Sequence, residues 1–429
     1  MLSQIVRGAL LIPADSGRVD FFADGALACD ERGVIVHAGD WRGLEAHLPA
    51  DSPPVRRTDA VLLPPLIDIH IHIPQHPIRG RFIEGVPPDA PGGMLLNGLR
   101  RNVFPAESRC NIFQTAYEVT QQFLADTLAN GVVAGAAYMT PSTLATEIAL
   151  ENLPETWRVG LVMMNQRCPE DLRTDEKNFE ADVKRLAARF GDRLIVTDRF
   201  AVSVDTPLRV RGSRLARELG LCTQTHLNEQ CAEKKLVETE LYPDAKSYAE
   251  VYRRDGLLDR PSILAHCIHM TENEWRIVAG CGAVVAHCPT SNALLNSGRM
   301  PLDDLMRWKI PYAIATDVGA SPTVSMLAEM NRFLQVHAGK SAYATPSEAL
   351  FRATLAPAKI LGLEKSLGSL QPGRPMSFIE AAADGSDGIT SADQCISLIL
   401  PENLDKPAPS VERVVLAGKT IFERRACHA

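Results

Sequence analysis

His70 and His72 stand one residue apart at the end of the apolar run LLPPLIDIHIH, residues 62–72. In a β-strand the side-chain direction repeats every two residues, so both imidazoles leave one face and can grip a single metal ion. Alone, such a pair could equally be two exposed histidines. Its company argues otherwise: His226 closes the strand-like run CTQTH, His266 closes SILAH, and Asp317 closes YAIATD. Imidazole nitrogens and a carboxylate oxygen are donors that Zn²⁺ and Fe²⁺ accept, in sites that keep a position open for water. Water held in this way becomes acidic near neutral pH, and a nearby carboxyl group can carry its proton onward. Glu229, three residues beyond His226 in THLNEQ, is the candidate for that work.

Positioning these groups takes several strands. Between the two ends of the chain, the apolar runs LIDIHIH, GVVAGAAYM, WRVGLVMM, RLIVTDRF, GLCTQTHL, SILAHC, GAVVAHC and YAIATD alternate with helical patterns such as FQTAYEVTQQFLADTLA and KNFEADVKRLAARF. Eight strands alternating with helices predict an α/β fold, a (β/α)8 TIM barrel over residues 66–365. Barrel enzymes build their sites at the C-terminal ends of the strands, where every candidate above falls. Residues 1–65 and 366–429 read differently, as short β-type runs separated by turns, with a hairpin turn at Asp30 to Gly33 and further runs MSFIEAA, CISLILP and VERVVLAGKTIFE. They predict a small β-sandwich domain assembled from both chain ends. The Pro- and Gly-rich segment RFIEGVPPDAPGGM, residues 81–94, follows the first barrel strand and reads as a loop beside the site face.

Composition narrows the function classes. The 429 residues are 45% hydrophobic and 23% charged, which fits a folded chain rather than a disordered one. A formal net charge of −7 argues against nucleic acid as a partner, because that footprint needs clustered Lys and Arg. The apolar patch near the start is cut short by Pro13 and Asp15, too brief for a signal core or a membrane span, and ten irregularly spaced cysteines suit reduced thiols. A cytoplasmic protein acting on a small molecule, without membrane attachment, is the expectation. The HxE and PCxxC zinc motif of cytidine-type deaminases is missing from the sequence.

The strand-end constellation resembles the amidohydrolase superfamily, in particular its aminoheterocycle-deaminase branch. Within that branch the stretches DIHIHIPQ, NVFPAE, GLVMMNQRCPEDL, TDRF, THLNE, LYPDAKSYAEVY, LAHC, AHCPTSN and TDVG are similar to those of the guanine deaminases, in the same order along the chain. The resemblance implies one divalent metal, Zn²⁺ or else Fe²⁺, held by His70, His72, His226 and Asp317. It implies that His266 positions the attacking water, that Asp317 also acts as a base, and that Glu229 shuttles the proton. Relatives with two metals bridge them through a Lys at the end of strand four, and IVTDRF offers none. By the same resemblance Arg199 and Phe200 read the substrate and Gln75 contacts the purine edge, and the assembly is a homodimer. These side chains suit a purine: Phe200 offers a flat apolar face, Arg199 a donor fork and Gln75 an amide. Deamination of guanine to xanthine and ammonia is the implied activity.

Three places depart from that pattern. Asn97 and Gly98 stand where an aromatic residue is common before FPAE, His76 and Pro77 replace an aromatic after Gln75, and TDVG runs into Ala320 and SPTVSM. The alternatives they open are another aminoheterocycle, such as 8-oxoguanine, a pterin or a triazine-like ring. A cyclic-amide substrate or a non-catalytic binding relative is the remaining alternative. His287, in AHCPTSN, is expected to be structural or part of the pocket wall, His76 a pocket or loop residue, and His269 a solvated loop residue.

Overall fold

The computed structural model describes residues 1–383, 388–402 and 410–424, so part of the 366–429 segment lies outside the described residues. Contacts divide the chain into two compact units. One comprises Ile69–Leu124 and Ala134–Thr323, the other Met1–Asp68, Ala125–Val133 and Val324–Ala429.

The eight barrel strands are β1 (Leu66–His72), β2 (Val132–Tyr138), β3 (Trp157–Met163), β4 (Leu194–Asp198), β5 (Cys222–Leu227), β6 (Ser262–His266), β7 (Val284–His287) and β8 (Tyr312–Ile314). They neighbour one another in sequence order, and β2 to β8 pair in parallel. This is the (β/α)8 barrel expected from the alternating pattern. Strands covered on both faces read as continuous apolar runs, and β1 and β2 are buried at all seven positions. Two backbone hydrogen bonds join β1 to the segment after β8: Asp317 N–H to the His70 carbonyl at 2.9 Å and His72 N–H to the Val318 carbonyl at 2.7 Å. The bonds that join first strand to last therefore also bring Asp317 beside the paired histidines.

The second unit carries an eight-stranded mixed sheet drawn from both chain ends, with Leu2–Pro13, Val19–Asp30 and Phe378–Ala381 among its strands. Period-two alternation sorts its residues: Val6, Leu27 and Cys29 join one buried cluster, whereas Ile5, Ala26 and Ala28 join another. The expected turn closes where Gly33 N–H donates to the Asp30 carbonyl, Gly33 having a φ of +74°. CISLILP, expected as a strand, is instead the end of a helix, Ala392–Ile399. Its buried residues Cys395, Ile396 and Ile399 repeat at helical spacing, and Ser391 caps the first turn, a signal that the short apolar run concealed.

Candidate active site

Four donors converge at the C-terminal ends of the strands. His70 and His72 come from β1, His226 from β5, and Asp317 from the turn after β8, where its φ of +54° bends the chain inward. Their ligating atoms all lie within 4.8 Å of one another, and every residue is buried. Asp317 Oδ1 is 3.2 Å from His70 Nε2 and 3.3 Å from His72 Nε2, and the latter is 3.3 Å from His226 Nε2. Donors placed about 2.1 Å from a shared ion at tetrahedral angles would sit about 3.4 Å apart, so these spacings fit a divalent cation. Among the described residues this is the one such donor group.

Electrostatics favour the ligating forms. Burial, outweighing the bond with Asp317, pulls His72 down to about 3 and His226 well below the ordinary histidine range, so both rings are neutral. Burial opposes ionisation of Asp317, yet the adjacent His70 and His72 side chains hold it well below the usual carboxylate range. Neighbouring groups orient the donors. His226 Nδ1–H donates to the Arg199 carbonyl at 2.6 Å, which leaves Nε2 for the ion. Ser291 Oγ donates to Asp317 Oδ2 at 2.6 Å, which turns Oδ1 toward the histidines.

His266 and Glu229 flank this centre. His266 Nδ1 is 2.9 Å from Asn292 Oδ1, so its N–H donates there and Nε2 is left facing the centre. That buried Nε2 has no hydrogen-bond partner among the described residues and lies 3.4 Å from Glu229 Oε2 and 3.9 Å from Asp317 Oδ2. Glu229 is held on its other oxygen by Ser297 Oγ at 3.1 Å. Burial, reinforced by the Asp317 charge, pushes Glu229 up to about 8, the behaviour of a carboxyl able to take and give a proton near neutrality.

A pocket opens on this cluster, lined at its polar end by Gln75 and Arg199 and along its sides by Phe82, Leu95, Leu99, Phe200 and Leu295. The three substrate residues implied by the resemblance thus share one cavity with His72, His226, Glu229, His266 and Asp317. Glu107, to which sequence reasoning gave no role, ties two of them together. Its carboxylate accepts from Arg199 Nη1 at 2.6 and 2.7 Å and from Gln75 Nε2 at 3.0 Å, all of it buried. Its mark in the sequence was an acidic residue closing FPAE.

The motif LYPDAKSYAEVY also acquires a purpose. From the helix Tyr248–Arg254, Tyr252 donates to the His226 carbonyl at 2.9 Å and accepts from Ala201 N–H, the residue after Phe200. Tyr248 donates at 2.9 Å to Glu233, whose carboxylate in turn accepts the N–H groups of Glu229 and Gln230. One helix therefore fixes both the strand-four and the strand-five loops. His76 is buried, with its ring edge-on to Phe123, and neither it nor His287 lines the pocket. His269 is half-buried and bonded to the Ser297 carbonyl at 2.8 Å. The Cys231 sulfur is nearly equidistant from its two ring nitrogens, at 3.4 and 3.6 Å, which places it over the ring face rather than on an N–H axis.

A parallel barrel with three imidazoles and a carboxylate converging at its strand ends defines the class of metal-centred barrel hydrolases. Residues 61–421 match the amidohydrolase family, and the chain belongs to that family. It is 30% identical over 420 residues to the guanine deaminase of Escherichia coli K12, covering 94% of this chain and 92% of that one. Human guanine deaminase is 30% identical over 341 residues, covering 76% and 73%. The solved structure of the E. coli enzyme superposes with a TM-score of 0.86 at 26% identity, covering 99% of this chain and all of the other. Among the described residues no helix is long and apolar enough to cross a membrane.

Proposed function

We propose that this chain deaminates guanine hydrolytically, giving xanthine and ammonia, with His70, His72, His226 and Asp317 holding one Zn²⁺ ion. Fe²⁺ is the alternative that the same donors accept. The observation that carries the reading is one pocket lined together by three of the four donors, His72, His226 and Asp317, by Glu229 and by the Arg199, Gln75 and Phe200 trio. Similarity to guanine deaminases over nearly the whole chain supports the choice of substrate.

A divalent cation bound there supplies an acidified water and a Lewis acid. The rest of the work falls to the chain. Phe200 covers the flat face of the base, while Arg199 donates to its carbonyl and Gln75 pairs with ring nitrogens, which turns C2 toward the strand ends. His266 and Asp317 orient the attacking water. Glu229 takes a proton from it and passes it to N3 as the C2–O bond forms and C2=N3 becomes a single bond; Asp317 takes the remaining hydroxyl proton, which goes to the exocyclic nitrogen as C2=O forms and the C2–N bond breaks, so that ammonia leaves. We also place the enzyme in the cytoplasm as a homodimer, which light scattering reads directly. Incubating purified protein with guanine and following xanthine and ammonia tests the reading. Turnover that a chelator abolishes and Zn²⁺ restores is expected. A metal-loaded protein that releases no ammonia from guanine would overturn it.

A further inference from the structure

Gly98 lies in a helix, with a φ of −62°, where glycine has no conformational advantage and is disfavoured against alanine. Its reason is space. A Cβ on Gly98 would stand 2.7 Å from Cδ1 and Cε1 of the Phe82 ring and 2.8 Å from the Phe82 carbonyl oxygen. The ring that occupies this hollow is buried and lines the pocket with Leu95, Leu99, Phe200 and Leu295.

Two asparagines on either side of Gly98 fix the segment that carries Phe82. Asn102 Nδ2 donates to the carbonyls of Phe82 at 2.9 Å and Glu84 at 3.0 Å, and Asn97 Nδ2 donates to those of Pro91 and Gly93 at 2.9 and 2.8 Å. Leu95 N–H, one turn earlier, donates to Gln230, the neighbour of Glu229. From Leu99 to Val103 the helix widens into a π-helical turn, a distortion frequent at functional sites. The loop is therefore latched to the helix on both sides of the glycine, and the aromatic ring is set as a fixed wall.

We propose that Phe82, seated on the bare backbone of Gly98, is the specificity wall of this site. It sets how much substituent a planar base can carry, and confines the site to free, unsubstituted aminopurines. This rests on the reading of the cavity as the substrate pocket. Removing the ring enlarges the cavity on its apolar side, and adding a methyl at Gly98 drives the ring into it. In an apolar pocket one methyl group more or less changes discrimination by roughly 10- to 200-fold.

The test is steady-state kinetics on guanine and on 1-, 7- and 9-methylguanine, with the metal content of each protein measured alongside. Phe82→Ala is expected to raise kcat/KM for at least one methylguanine relative to guanine by roughly tenfold or more. Gly98→Ala is expected to raise KM for guanine, and to do so less in the Phe82→Ala background, because two of the three close contacts are with ring atoms. Metal content should match wild type throughout, since neither residue touches a donor. If Gly98→Ala does not fold, Phe82→Ala and Phe82→Leu decide. Unchanged relative preferences in folded, metal-loaded Phe82 variants would overturn the proposal, as would a Gly98→Ala effect equal in both backgrounds. Calorimetric binding of the same bases separates the two readings. A wild type that turns over none of them sinks the guanine assignment, whereas a Phe82→Ala protein that binds methylguanines no better than wild type sinks the wall.

Discussion

Replacing Glu107 by Gln should damage substrate binding without touching the metal. The Arg199 side chain is 3% exposed and that of Glu107 0%, and Nη1 lies 2.6 and 2.7 Å from the two carboxylate oxygens. The amide keeps the shape but removes the charge, and whichever oxygen becomes an NH₂ group meets an N–H donor head-on. Leaving a buried cation without its partner costs about 3–5 kcal/mol, so urea unfolding should register a loss of that order. Each hydrogen bond between a charged group and its partner is worth about 1.5–3 kcal/mol. If one such bond's worth of positioning is lost from Arg199 and Gln75, KM for guanine should rise roughly ten- to a hundredfold, at 1.36 kcal/mol per decade. Zinc content should stay at the wild-type value, because none of the three groups is a donor. The double variant Glu107→Gln/Arg199→Gln removes both charges and should recover most of the stability while KM remains raised. If Glu107→Gln alone keeps wild-type stability and wild-type KM, the pair does not organise the polar end of the pocket and the reasoning fails.

Other expectations follow from single contacts. Glu229→Gln can keep the Ser297 bond and the fit beside His266, so kcat should fall roughly 10²- to 10⁴-fold with zinc retained; a wild-type rate would remove Glu229 from proton transfer. Ser291→Ala frees the outer oxygen of Asp317 and should weaken zinc binding about 10- to 100-fold in a competition with a chelator, whereas unaltered affinity would show that the hydroxyl does not orient the carboxylate. Tyr252→Phe removes the shorter of two hydroxyl bonds to the His226 carbonyl, leaving that from Thr225 at 3.5 Å, and should cost about 0.5–1.5 kcal/mol on unfolding, together with some kcat/KM.

The donors were legible because their positions follow from strand arithmetic. A period of two fixes His70 beside His72, and the strand-end rule gathers His226, His266 and Asp317 without knowledge of any contact. The eight barrel strands were legible for the same reason, as apolar runs buried on both faces. What escaped was everything set by side chains meeting across loops. Glu107 reaches Arg199 over 92 residues and Ser297 reaches Glu229 over 68, separations that no local pattern encodes. Ser291 and Asn292 are adjacent on one short helix yet serve two different strands, Asp317 beyond β8 and His266 on β6. Gly98 looked like a departure from the family pattern, and only the position of the Phe82 ring shows what the missing side chain makes room for. The run CISLILP was too short for periodicity to separate helix from strand.

In the function proposed, one cation held by His70, His72, His226 and Asp317 makes this chain a hydrolase. Titrating Zn²⁺ back into chelated protein while following ammonia release from guanine tests it most directly. Activity should rise in proportion to added metal and level off at about one equivalent per chain, and His72→Ala should lose that response. Full turnover in the metal-free protein, or a rise that continues to a second equivalent, would contradict it.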